Sequence, residues 1–264
     1  MLPNGVKTLL QQGQLAIGQW LTLPSPAITE LLASYGMDWL LVDTEHGPAG
    51  WETVEDMIRA MKGTEVVPLV RVAGNDPVLI KKALDRGAFG VVVPLVNTAE
   101  QAKAAAAACR YPPNGIRGVA GGRANRYGVD LVKYVAEWNQ RVLVICQLET
   151  REAVQNAESI ATVPGIDVLF IGPNDLSANL DRFRKFEDPE FTHAVDRILQ
   201  AARAHRKAAG IMAAGADDTL ARVDQGFRFI SVGSDTRMLG AAAASTYEKI
   251  RKGLSERNIP TAGR

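Results

Sequence analysis

Short apolar runs alternate with amphipathic stretches along the whole chain. Runs of buried-strand length fall at 16–20, 39–43, 66–71, 90–94, 141–147, 167–171, 209–213 and 229–232. Apolar residues recur with helical spacing near 27–35, 51–62, 76–86, 98–110, 151–160, 189–207, 217–225 and 236–254. Several boundaries carry their own chemistry. Thr98 with Gln101 three residues on predicts a capping box, and Asp76 before Pro77 pairs a polar cap with a helix-compatible proline. Gly87 and Gly226 close helical patterns, and Pro112-Pro-Asn-Gly115 forbids continuation. Eight strands, each followed by a helix, predict a (β/α)8 TIM barrel. A doubly wound open sheet fits less well, because Leu21-Thr-Leu-Pro-Ser-Pro26 after the first strand cannot form a glycine-rich phosphate turn.

No linker or repeat divides the chain, so residues 1–264 are expected to form a single barrel domain, with a final helix about 236–254 and a loose tail over 258–264. The long segment 112–130 is expected to follow the fourth strand, on the face where barrel enzymes carry their chemistry. A formal charge of +1 with scattered basic residues argues against a nucleic-acid partner. Cys109 and Cys146 read as small buried apolar residues of a reducing compartment. The N-terminus lacks a signal-peptide pattern and no apolar run is long enough to span a bilayer, so a cytoplasmic protein without a membrane partner is expected.

Glu149 and Asp175 each sit just past an apolar run, at consecutive strand ends. Two carboxylates so delivered can hold one hard divalent cation and leave most of its coordination sphere open. Strand parity puts Gln147 with Glu149 on one face, and Val67, Leu69 and Arg71 on one face. A further strand end brings Asp43, Glu45 and His46 toward the same rim. Each residue also has a plainer reading: Glu149 beside a helix start, Asp175 as an N-cap, Asp43 as a turn cap, Arg71 as a structural ion-pair partner. Zinc is disfavoured, because no His/Cys cluster has ligand spacing. A Schiff base is disfavoured too, since the lysines considered, from Lys62 to Lys252, fall in predicted helices or loops.

The segments Met37-Asp-Trp-Leu-Leu-Val-Asp-Thr-Glu-His46, Pro68-Leu-Val-Arg71, Arg110-Tyr-Pro-Pro-Asn-Gly-Ile-Arg-Gly118, Gln147-Leu-Glu-Thr150, Ile171-Gly-Pro-Asn-Asp-Leu-Ser177 and Val232-Gly-Ser-Asp235 occur in this order. Together they make the chain resemble the HpcH/HpaI metal-dependent (class II) pyruvate aldolases. The resemblance implies reversible cleavage of 4-hydroxy-2-oxo acids to pyruvate and an aldehyde through a metal-stabilised enolate, in aromatic or sugar acid catabolism. It implies Mg2+, Mn2+ or Co2+ on Glu149 and Asp175, with Gln147 supporting the cation through a water. Arg71 would face the carbonyl oxygen of pyruvate, and the backbone around Gly172, Pro173 and Asn174 would receive its carboxylate. His46 would serve as acid/base, tuned by Asp43 or Asp85. A homo-hexamer is implied, with the last helix packed on a neighbouring subunit. Three positions depart from the family pattern: Thr44 where glycine is usual, Asn174 where a smaller residue is common, and 179–188, which lacks the expected glycine. The rival readings are an acyl-CoA lyase of the malyl or citramalyl type and a non-catalytic oxo-acid-binding protein.

Overall fold

The structure is a computed structural model and describes residues 4–259. Among these residues, eight parallel strands close into a barrel in chain order: β1 (Ala16–Leu21), β2 (Trp39–Asp43), β3 (Val67–Arg71), β4 (Gly90–Val93), β5 (Leu143–Leu148), β6 (Val168–Ile171), β7 (Ala208–Met212) and β8 (Phe229–Ser234). Around them run α1 (Gly5–Gln11), α2 (Pro26–Ala33), α3 (Trp51–Ala60), α4 (Pro77–Asp85), α5 (Ala99–Ala108), α6 (Leu131–Arg141), α7 (Arg151–Gln155), α8 (Ala157–Ala161), α9 (Pro173–Asn179), α10 (Pro189–Ala204), α11 (Ala216–Gln225) and α12 (Asp235–Glu256). The fold is the expected TIM barrel.

Alternation along each strand divides the buried residues into two clusters. The inner one includes Trp20, Leu41, Leu69, Ile145, Phe170 and Phe229, and the stacked Trp39–Phe229 rings, 4.4 Å apart, help fill the barrel axis. The outer cluster joins the opposite strand faces to the helices. Most of the stability arises there and in the barrel interior, at about 25 cal/mol per Å² of apolar surface removed from water. Asp76 caps α4 through Val78 N and Leu79 N, as expected. Thr98 caps α5, but Gln101 Oε1 accepts from Asn97 N rather than from the N-cap's own N–H, so the box is shifted by one residue. Gly87 and Gly226 end their helices with left-handed φ of 102° and 104°.

Three helices are absent from the sequence reading: α1, α6 and α9. In α1, Val6 packs into the inner cluster and closes the barrel's N-terminal end. Lys7, which the lysine survey also passed over, donates there to Val142 O at 2.7 Å and pairs with Asp167 at 3.0 Å. It lies at the end of the barrel opposite the rim where β2, β3 and β5 finish.

The segment 112–130 requires a correction. It follows α5, not β4, and α5 has already carried the chain back to the N-terminal end of the barrel. There Arg123 donates to Arg86 O, just before β4. Arg117 is buried among Tyr111, Tyr134 and Trp138, 4.6 Å over the Trp138 ring, and donates to Asp85 at 2.7 Å. The motif Arg110–Gly118 is thus structural within one chain. Of the expected tail, Asn258 and Ile259 are described, and Ile259 N still bonds Leu254 O; the rest lies outside the described residues.

Candidate active site

Inward parity at the C-terminal ends of the strands gathers the polar residues. Asp43 ends β2, Arg71 ends β3, and Gln147 sits near the end of β5 with Glu149 two residues on. Arg71 donates to both oxygens of Asp43, from Nε at 2.9 Å and from Nη2 at 2.7 Å. Its Nη1 lies 2.9 Å from Glu45 Oε2, and the guanidinium sits 4.9 Å over the Trp20 ring. Burial alone would lower the Arg71 pKa, but the hydrogen bonds and charge of Asp43, with Glu45 and Glu149, hold it above its ordinary value. This planar, bidentate clamp fixes the one guanidinium's orientation.

The turn after β2 is built by the same groups. Asp43 Oδ1 also accepts from Glu45 N at 3.1 Å and His46 N at 3.4 Å, so its turn-capping and ion-pair readings both hold. A side chain at Gly47 would sit 2.2 Å from Asp43 O, which reserves that position for glycine. Thr44, the departure from the family pattern, donates its hydroxyl to Arg71 O at 2.7 Å and ties the two strand ends together.

Glu149 is 2% exposed. Its Oε1 accepts from Leu95 N at 3.0 Å and its Oε2 from Gln147 Nε2. Burial pushes its carboxyl up to about 7, against those two hydrogen bonds, and Asp175 and Glu45 push the same way. The adjacent Thr150, not Glu149, caps α7. Asp175 is likewise no N-cap: Gly172 holds that position, and Asp175 is an exposed acid in the first turn of α9. A Cβ on Gly172 would lie 2.7 Å from Glu149 Oε2, 3.0 Å from Gln147 Nε2 and 3.6 Å from Asp175 Oδ2. The missing side chain is what lets these groups converge.

Does this constellation suit a divalent cation? Four carboxylates, of Asp43, Glu45, Glu149 and Asp175, act on one another around one guanidinium. Glu149 is driven toward its neutral form, and Gln147 Oε1 is buried without a partner. A cation would relieve both the repulsion and the desolvation. Among the described residues no group of three or more His, Cys, Asp or Glu side chains converges, so such an ion would keep most of its sphere for water and substrate. The residues fit the group.

Gly172→Ala should therefore weaken Mg2+ or Mn2+ binding by about tenfold or more, at a stability cost of about 1–3 kcal/mol from the intruding methyl. Calorimetric titration checks this; unchanged affinity would mean that the carboxylates are not used around that point.

His46 and Asp85 fare differently from the others. The His46 side chain is 67% exposed, and its Nε2 lies 4.0 Å from Glu45 Oε1. Asp85 ends α4 at the opposite end of the barrel, held by Arg117, so within one chain it cannot tune His46. The sequence reading missed the Leu95 N–H, which a left-handed φ of 53° places on Glu149. It also missed Trp20 beneath Arg71, although Trp20 shares inward parity with Ala16. The glycine-poor segment 179–188 turns by placing Asp181 and Arg184 at φ of 58°.

An acid-rich rim around a clamped arginine, at the C-terminal end of a parallel barrel, defines a barrel enzyme that handles small anionic substrates. The chain belongs to the HpcH/HpaI aldolase/citrate lyase family, whose model matches residues 16–242. It is 40% identical over 249 residues to a 5-keto-4-deoxy-D-glucarate aldolase of Salmonella paratyphi C (strain RKS4594), covering 94% of this chain and 96% of that one. A protein of the same name from Shigella boydii serotype 18 (strain CDC 3083-94 / BS512) is 37% identical over 253 residues, covering 96% and 98%. The crystal structure of an HpcH/HpaI aldolase/citrate lyase family protein from Burkholderia cenocepacia J2315 is similar with a TM-score of 0.91 at 35% identity, covering 94% of this chain and 99% of that one. The chain is accordingly a carbon–carbon lyase, a class II aldolase, the class that works with a divalent cation. Among the described residues no helix is long and apolar enough to cross a membrane.

Proposed function

We propose that the chain cleaves 4-hydroxy-2-oxo acids to pyruvate and an aldehyde, with 5-keto-4-deoxy-D-glucarate as its substrate in sugar acid catabolism. Counted from its oxo end, that compound is itself a 4-hydroxy-2-oxo acid. The observation carrying the proposal is the convergence of Glu149 and Asp175 at the side-chain-free Gly172, on the same rim as Arg71.

Glu149 and Asp175 would hold Mg2+, Mn2+ or Co2+. When bound, the ion supplies a Lewis acid for the 2-oxo acid unit. The first-turn N–H groups of Asn174 and Asp175 lie outside the helical ladder by position and suit the substrate carboxylate, while Pro173 has no N–H and Gly172 leaves the approach open. Asp43 and Glu45 fix three nitrogens of Arg71, which presents its remaining N–H groups to the oxygen that gains charge as pyruvate leaves as its enolate. Gln147 orients Glu149 through its amide. His46, exposed at the mouth, takes the proton of the 4-hydroxyl through water and returns it in the synthetic direction.

A second copy of the chain is proposed as the partner, in a hexamer. Along α12, Leu239, Ala243, Tyr247, Ile250 and Leu254 recur at intervals of four, four, three and four, a single helical face. Leu239, Tyr247 and Ile250 are exposed on it within one chain, which supports packing against a neighbouring subunit.

Pyruvate release from 5-keto-4-deoxy-D-glucarate, before and after EDTA treatment, is the direct assay. Activity lost to chelation and restored by Mg2+, Mn2+ or Co2+ is expected. Undiminished cleavage by metal-free enzyme would refute the Lewis-acid role. Cleavage of malyl-CoA in preference to the oxo acid, or binding of pyruvate without turnover, would favour the rival readings.

A further inference from the structure

We infer that Glu45 is the positioning residue of this site, a carboxylate bridge that sets both the guanidinium of Arg71 and the imidazole of His46. The inference rests on the aldolase reading for its consequences in turnover, but its geometry stands apart from it.

Three observations carry it. Glu45 is anchored at both ends of its short reach. Its backbone N–H is held by Asp43 Oδ1, in a turn that Gly47 alone permits, and its side chain spans from Arg71 Nη1 at 2.9 Å to His46 Nε2 at 4.0 Å. The two other acids that might serve the imidazole are otherwise committed. Asp43 uses both oxygens on Arg71 and one of them on backbone N–H groups, reaching His46 only through its main chain. Asp85 is fastened to Arg117 at the far end of the barrel. Finally, Glu45 Oε2 is buried, and although it is ion-paired with Arg71 it makes no aligned hydrogen bond. A buried acceptor left idle beside a rim of this kind has capacity for a donor from water or substrate. Burial also pushes the Glu45 carboxyl up, ahead of the opposing pull of Arg71 and His46.

The arrangement has a consequence for charge. Asp43 takes two edges of the guanidinium and Glu45 the third, so Arg71 cannot swing toward either acid without losing the other. Removing Glu45 frees Nη1 and leaves the exposed His46 ring without its nearest carboxylate. The charged groups acting on the Glu45–His46 pair are Arg71 from β3, Asp43 from β2 and Asp175 from α9. Of these only Glu45 lies within ion-pair distance of the ring.

The test uses the full-length enzyme with Glu45→Gln and Glu45→Asp. His46 is followed by NMR titration of its imidazole, distinguished from His193 and His205 by His46→Asn. In Glu45→Gln the His46 midpoint should fall by about half a pH unit or more, because an opposite charge favours the protonated ring. Turnover should drop about tenfold with KM changed less, and Glu45→Asp should restore part of both. If Glu45→Gln does not fold, Glu45→Asp gives the same reading with a smaller shift in the same direction. An unmoved His46 midpoint would overturn the inference whatever the activity. Wild-type enzyme that releases no pyruvate would instead overturn the aldolase reading and leave the titration result standing.

Discussion

Arg71→Ala should lower turnover on the order of a hundredfold to a thousandfold while leaving Mg2+ or Mn2+ affinity intact. The site explains the split. Arg71 does not face the proposed cation as a ligand; it faces the oxygen on which charge develops, and a donor aimed there acts on the transition state more than on bound substrate. The loss corresponds to about 3–4 kcal/mol. Metal affinity should not fall, since removing a positive charge beside Glu149 and Asp175 makes the carboxylates more attractive to a cation. Stability should fall as well, because Asp43, 2% exposed, loses its bidentate partner. Arg71→Lys should recover little, as an ammonium cannot satisfy Asp43 and Glu45 with one planar fork. Steady-state rates beside a Mn2+ binding isotherm decide the matter; near-normal turnover in Arg71→Ala would remove the residue from the mechanism.

Glu149→Gln should abolish metal-dependent turnover and, in metal-free protein, raise the melting temperature. Glu149 is held at about 7 by burial, above its ordinary 4.5. The sign follows from linkage. Below about 4.5 the group is protonated in folded and unfolded chains alike and contributes nothing. As pH rises from there to about 7, the unfolded chain ionises first, and the native state loses stability. Above that range the penalty is constant. Glutamine carries no such penalty, and the geometry accommodates it: a flip of the Gln147 amide turns its idle Oε1 toward the new side-chain amide, while Leu95 N keeps its acceptor. At pH 8 the gain should be about 2 kcal/mol, or about 4–8 °C, and it should vanish toward pH 4. Saturating Mg2+ should reverse the order, because only the wild type gains binding energy. Melting curves at both pH values, with and without metal, would expose an error: a variant destabilised at pH 8 without metal would mean that Glu149 is not a strained carboxylate awaiting a cation.

Much of this site can be read from strand parity. Leu69 and Arg71, and Gln147 and Glu149, alternate with outward residues, so a barrel carries them inward whatever the loops do. The helix boundaries at Asp76, Gly87 and Gly226 follow from local chemistry and are legible for the same reason. What escapes is information that depends on the path of the chain. The segment 112–130 seems to belong to β4 until α5 and α6 are both recognised; Leu131, Tyr134, Val135 and Trp138 have helical spacing, yet lie just beyond a turn-rich stretch. Asp85 resembles a rim acid in sequence, but a helix ending there puts it at the other end of the barrel. The Leu95 N–H has no sequence signal, because a backbone donor set by a left-handed leucine leaves no side-chain mark. Glu45 was in view only as an alternative to His46, and its bridge appears once Gly47 and Asp43 fix the turn.

Proton exchange at the methyl group of pyruvate in D2O, followed by NMR, reports enolate formation without any aldehyde. Wild-type enzyme with Mg2+ should exchange these protons far faster than Mg2+ alone, and EDTA-treated wild type and Mg2+-supplemented Glu149→Gln should fall to that background. Exchange by the chelated enzyme at the wild-type rate would contradict a role for Glu149 and Asp175 in holding the ion that stabilises the enolate.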